Sequence, residues 1–203
     1  MTAHAPSAPG SLELVRRFVN TRDFEAGTGR RASPQALTDW LRHESLLPGT
    51  ASASAEDLES AVRLQESLRK AIAANHNGAP TPPHARKVIN AAAEHAQLTV
   101  ELDEDGGWSL TPHATGIAAA LGSIVSEVVR AMATKEWSRL KVCVNDTCQQ
   151  AFYDHSRSRS GRWCSMQTCG NQSKQKTWRS RRSPGKESYH DKYGKPVRGN
   201  SPQ

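Results

Sequence analysis

The spacing of four cysteines constrains this chain more than any other feature. Cys143, Cys148, Cys164 and Cys169 are the only cysteines, and they form two C-x4-C pairs separated by 15 residues. Each short pair suits a metal knuckle. Four thiolates converging on one point make a closed tetrahedral zinc site, with sulfurs about 2.3 Å from the metal. A closed shell has no position for a substrate, so the spacing predicts one structural Zn2+ rather than a hydrolytic centre. Asn145 and Asp146 suit the tight turn inside the first knuckle. Short strands are expected over Trp137–Val142 and Ala151–Tyr153, and a helix over Asn171–Arg182, where no glycine or proline intervenes. Phe152, Tyr153 and Trp163 offer too little apolar area for a core, so metal binding is expected to supply folding free energy. A strong chelator should then unfold residues 135–182 and spare the rest. His155 is a weaker alternative ligand that the spacing does not require.

The charge is unevenly placed along the chain. Residues 1–134 hold 12 Lys/Arg and 15 Asp/Glu, whereas residues 135–203 hold 15 and 5. The net charge of +7 thus comes from a near-neutral part followed by a strongly basic one. Such polarity points to a basic module that seeks a polyanion. Its candidate nucleic-acid contacts are Arg157, Arg159 and Arg162 between the knuckles, then Asn171, Gln172, Lys174, Lys176, Arg179, Arg181 and Arg182 after the last cysteine. Lysine and arginine would hold phosphates, while Asn171, Gln172 or an arginine could read base edges. Compensation of the doubly negative zinc site is the competing account of the same cluster.

Ahead of the cysteines the pattern is mostly helical. Leu14, Val15, Phe18 and Val19 share a face in residues 12–24. EAGTGRR, residues 25–31, is expected to be a linker. Ser33-Pro34 starts a helix that runs toward Pro48-Gly49. Ser54 with Asp57 caps a longer one, and Pro82-Pro83 opens another. Alternation at Leu98, Val100 and Leu102, a turn at Asp105-Gly106-Gly107 and a return at Trp108–Leu110 predict a β-hairpin against the helices. Thr111-Pro112 is expected to begin a last long helix with Ser126, Glu127 and Arg130 on its exposed side. The scattered histidines have no metal spacing, and no catalytic constellation emerges, so an enzyme is not expected. Apolar residues are 36%, and the longest apolar run falls far short of the roughly 20 residues of a membrane span. Residues 1–10 lack a signal-peptide pattern, so a cytoplasmic protein is expected, nucleoid-associated when bound to DNA.

Residues 143–182 also resemble the CGNR zinc finger. The resemblance rests on both C-x4-C pairs, Phe152, Asp154, Ser156, the run Arg162-Trp163-Cys164-Ser165-Met166, Cys169-Gly170-Asn171, Lys174 and the basic tail. One position departs from it: the arginine that gives the motif its name is Gln172 here. The preceding part resembles the ABATE domain of stress-induced transcription regulators, through FVNTRDF and the following Leu-Trp-Leu helix. These resemblances imply a bacterial, double-stranded-DNA-binding regulator whose N-terminal domain senses a small ligand.

The expected architecture is therefore a disordered tail over 1–10 and a mainly α domain with a small β-hairpin over 11–134. A treble-clef-like zinc finger over 135–182 and a disordered basic tail over 183–203 complete it. A homodimer is compatible with the sequence, and no membrane partner is expected. A protein–protein adaptor and an RNA-binding protein are the alternative functions.

Overall fold

The computed structural model describes residues 6–21 and 33–182, with side chains left aside at 177 and 179–182. The expected linker 25–31 and basic tail 183–203 lie outside the described residues. Five helices and a hairpin precede the cysteines: α1 (Leu12–Asn20), α2 (Pro34–His43), α3 (Ala55–Ala74), α4 (Pro83–His95), β1 (Leu98–Leu102), β2 (Trp108–Pro112) and α5 (Gly116–Ala133). A second hairpin, β3 (Leu140–Val142) and β4 (Ala151–Tyr153), and a last helix, α6 (Asn171–Arg182), complete the order. The protein is thus mainly helical with two small antiparallel hairpins.

Local chemistry sets most helix starts. Ser33 accepts the Ala36 amide and Pro34 follows it, so α2 begins with its cap satisfied. Ser54 and Asp57 form a reciprocal capping box at α3. Such a cap contributes roughly 1 kcal/mol. Helix α2 ends at His43, short of the expected Pro48, because Ser45 takes a positive φ of 59° and the Leu46 amide turns back to the Leu41 carbonyl.

The core gathers the apolar faces of α1, α2, α3 and α5. Val15, Phe18, Leu37, Leu41, Leu68, Ile72 and Ile124 are fully buried. At roughly 1.5–3 kcal/mol each, this cluster outweighs any single cap. Helix α5 is long and apolar enough to cross a membrane by length and composition, which the sequence reading did not anticipate. Its apolar side instead packs in this core. It also starts later than Thr111, because the His113 and Ala114 amides continue strand pairing to the Gln97 and Ala96 carbonyls. Ser126 is buried, against expectation, with its hydroxyl on the Ser123 carbonyl. Gly122 lets α5 approach the end of α4, since a Cβ there would lie 2.3 Å from Ala96 Cβ.

The first hairpin packs only at its base. Leu98 reaches the core, while Val100 and Leu102 on the same face are exposed. The second hairpin behaves oppositely. Leu140, Val142, Ala151 and Tyr153 join the main helical core, and Phe152 turns to the cysteines. Helices α1 and α3 support it from below. The core is therefore continuous from α1 into the first strands of the cysteine module.

Part of the expected N-terminal tail is also held. Ala8 is buried and its amide donates to Glu13 Oε2 at 2.7 Å. The Pro6 carbonyl accepts from the Tyr153 amide, and the Ser7 carbonyl lies 2.9 Å from His155 Nε2. Disorder over residues 6–10 is thus corrected. The low apolar content of the segment hid contacts that are made by its backbone. Residues 1–5 lie outside the described residues.

Candidate metal centre and nucleic-acid interface

The four cysteines meet at one point. Strand β3 delivers Cys143, and the turn before β4 delivers Cys148. An ordered coil brings Cys164, and a single π-helical turn, Met166–Gly170, carries Cys169 into the start of α6. All four sulfurs lie within 4.8 Å of one another. Cys148 and Cys164 are 3.6 Å apart, and Cys164 and Cys169 are 3.8 Å apart. A tetrahedron with sulfurs about 2.3 Å from its centre has edges of about 3.8 Å, which these two separations match, so the donor set suits a zinc ion. Cys143, Cys164 and Cys169 are buried, and Cys148 is half-buried. His155 is not among them; its ring packs 4.7 Å from Tyr153 instead.

The surroundings of the sulfurs match a charged centre. Burial pushes the Cys143 and Cys164 thiols up. Burial acts the same way on Cys169, but the Asn145 amide and the neighbouring thiols outweigh it and hold that thiol down. A bound zinc supplies the positive charge that ionises all four. Asn145, expected to bend the first knuckle, also takes a second role that the sequence did not signal. Its Oδ1 accepts from the Thr147 amide and hydroxyl, which shapes the knuckle. Its Nδ2 points at Cys169 Sγ at 3.6 Å and donates to Gln172 Oε1 at 3.1 Å. One side chain thus turns the knuckle, contacts a ligand sulfur and holds the first turn of α6.

The loop between the knuckles is built on a buried ion pair. Lys141 and Asp154 are 3% and 4% exposed, and Lys141 Nζ lies 3.1 Å from Asp154 Oδ2. Lys141 lies in β3 between Leu140 and Val142, and all three are buried. The Lys141 ammonium enters the loop and donates to the Arg159 carbonyl. Asp154 accepts the Ser156 amide at 3.0 Å and the Gly161 amide at 2.7 Å. Burial by itself would raise the Asp154 carboxyl, but donors on Ser156, Gly161 and Lys141 prevail and bring it from 3.8 down to about 2. Gly161 is required by this closeness, because a Cβ there would stand 2.7 Å from the Asp154 carboxyl carbon. Arg139 braces the same turn by donating to the Asp154 and Ser156 carbonyls. Arg157 and Arg159 are thereby displayed, exposed, on a pinned loop.

Of the predicted contact residues, three meet. Arg162, Gln172 and Lys176 line one cleft of about 440 Å³, together with Asn145, Thr147 and Ser173. The Arg162 guanidinium lies 5.8 Å from the Trp163 ring centroid, and its carbonyl accepts the Val144 amide. Lys174 is exposed on α6 but does not line the cleft. Asn171 is exposed and its amide group donates to the Gln167 carbonyl. The side chains of Arg179, Arg181 and Arg182 lie outside the described residues.

Further side chains, none of them singled out as functional from the sequence, tie this module to the helices. Asn75 donates to the Trp137 and Leu140 carbonyls, and His76 Nε2 lies 2.6 Å from the Val142 carbonyl. Arg69 bridges the Val19 and Gln149 carbonyls. Asn20 pairs with Ala151. No hydrophobic period marks such residues; Asn20 falls within the FVNTRDF stretch already noted for its resemblance.

Comparison with known families agrees with this division of labour. The CGNR zinc finger model matches residues 139–182. The ABATE model, "Putative stress-induced transcription regulator", matches residues 12–135. No curated protein matches the chain by sequence. A helical body that spans most of the chain and carries a four-cysteine finger at its end is what these two matches describe in order, and the protein belongs to the ABATE family.

Proposed function

We propose that this protein is a zinc-dependent transcriptional regulator of bacterial type that binds double-stranded DNA through its finger and answers to a small ligand. The observation that carries the DNA reading is the cleft shared by Arg162, Gln172 and Lys176. Two cations and an amide from separate parts of the sequence converge there, beside a closed metal site that fixes their spacing. Arg157, Arg159 and Lys174 are exposed on the same module, and the sequence of α6 also holds Arg179, Arg181 and Arg182. Cations on the module would hold phosphates, and Gln172 or Asn171 would face base edges. The zinc would hold the scaffold and take no part in chemistry itself. Its place is the cytoplasm, at the nucleoid when bound. A homodimer would let two fingers read paired half-sites.

The test is a salt titration of the zinc-loaded protein on duplex DNA. About five phosphate contacts give a log–log slope near −4.5. A slope near zero, or clear preference for RNA of equal length in direct competition, overturns this reading.

A further inference from the structure

A second concavity lies where the two modules meet. It has a volume of about 500 Å³, within the range of small-molecule sites. Leu12 at the start of α1 and the last turns of α5 form one side, and Tyr153 and His155 of the finger form the other. Neither module makes this cleft alone.

Its chemistry has a sign. Two carboxylates, Glu127 and Glu136, line it against one guanidinium, Arg130, which already faces Glu127 at 3.5 Å. Glu127 also accepts the Ser11 hydroxyl, and Glu136 accepts the Tyr153 hydroxyl, so both carboxylates are held in place. The C-terminal end of α5 adds its partial negative charge on the same side. Tyr153 and His155 stack edge to face at 4.7 Å and line the cleft, where the edge of the Tyr153 ring is the part left accessible. Leu12 gives an apolar wall. From this arrangement we infer that the cleft binds a small amine with an apolar body, and that this ligand regulates the finger. The site rests on the regulator reading only for its consequence, since it gives the proposed ligand response a location.

The route to the finger is short. Tyr153 and His155 flank Asp154, whose carboxylate anchors the loop bearing Arg157 and Arg159. A ligand that draws on Tyr153 and His155 acts on the residues that set this loop. The Pro6 and Ser7 carbonyls, on the Tyr153 amide and the His155 ring, make the N-terminal segment part of the same assembly.

The experiment uses the zinc-loaded full chain and two probes, 2-phenylethylamine and its neutral counterpart 2-phenylethanol. Backbone amide spectra are recorded during each titration. The amine should shift Ser11, Leu12, Thr134, Tyr153 and His155 and bind about tenfold more tightly than the alcohol. Glu136→Gln and, separately, Glu127→Gln should bring the two probes to within about twofold while zinc content is unchanged. Duplex affinity is measured in the same samples with and without amine, and should change by about threefold or more in the wild type only. Equal binding of amine and alcohol, or shifts confined to other surfaces, overturns the site. An amine that seats in the cleft without altering duplex affinity overturns the regulation. Loss of duplex binding under all conditions, with the amine still seated, overturns the DNA reading and leaves the site standing.

Discussion

Asn20 and Ala151 exchange two hydrogen bonds across 131 residues of sequence. The Asn20 Nδ2 donates to the Ala151 carbonyl at 2.8 Å, and the Ala151 amide donates to Asn20 Oδ1 at 2.7 Å. A side-chain amide at the end of α1 thus pairs with the open edge of β4 as another strand would. Asn75 and His76, at the end of α3, satisfy carbonyls of β3. The hairpin that precedes and follows the first knuckle is therefore clamped by the helical body.

Asn20→Ala removes both bonds and leaves the carbonyl and amide of buried Ala151 unpaired. The expected loss is about 2 kcal/mol, or roughly 4–8 °C in Tm for a chain of this length. Zinc stoichiometry should stay at one per chain, because no ligand is touched. Scanning calorimetry with metal quantification checks both. Unchanged Tm would show that the clamp carries no weight.

Zinc removal should have a narrower effect than cysteine spacing alone suggests. Leu140, Val142, Ala151 and Tyr153 sit in the helical core, so β3 and β4 should keep slow hydrogen exchange after chelation. Residues 143–150 and 154–170, which depend on the metal, should exchange fast. Cys164→Ser should reproduce this pattern without chelator. Fast exchange throughout 135–182 would restore the picture of an independent finger.

Asp154→Asn breaks the buried pair and leaves Lys141 charged and uncompensated. Near neutral pH the expected cost is about 3–5 kcal/mol. The native Asp154 carboxyl lies near 2, below its ordinary 3.8. Its stabilisation is therefore present above about pH 4 and fades as pH falls toward 2. The gap between wild type and Asp154→Asn should narrow by about 2 kcal/mol across that window. Chemical denaturation at several pH values measures it. Zinc release acts on both proteins, so the difference between them is the quantity to follow.

Gln172→Arg restores the residue that names the finger motif. It removes an acceptor from Asn145 and adds a cation beside Arg162 and Lys176. Duplex affinity at low salt should rise, and the log–log slope should steepen by about 0.9 for one added phosphate contact. Zinc affinity should change little, because Asn145 still faces Cys169. An unchanged slope would place position 172 away from the phosphates.

Local signals were legible where one residue's chemistry decides its own conformation. Ser33-Pro34 and Ser54 with Asp57 named helix starts, and the alternation from Leu98 to Leu102 named β1. Errors came where distant atoms decide. Pairing runs on past Pro112 because the His113 and Ala114 amides donate to the Gln97 and Ala96 carbonyls, which moves the start of α5. Nothing local in the sequence signals that Lys141 is buried; Asp154 and the Arg159 carbonyl, 13 and 18 residues on, receive its ammonium.

Cysteine spacing by itself determined the metal site, since four thiolates at those intervals have few other uses in one chain. Charge distribution by itself separated a near-neutral body from a basic module. Tertiary structure decided how the two are joined. The join consists of side-chain amides, an imidazole and a guanidinium reaching backbone groups far along the chain, and such bonds leave no periodic trace. It also decided what Gln172 touches. That choice follows from the three-dimensional closeness of a knuckle and a helix start 27 residues apart.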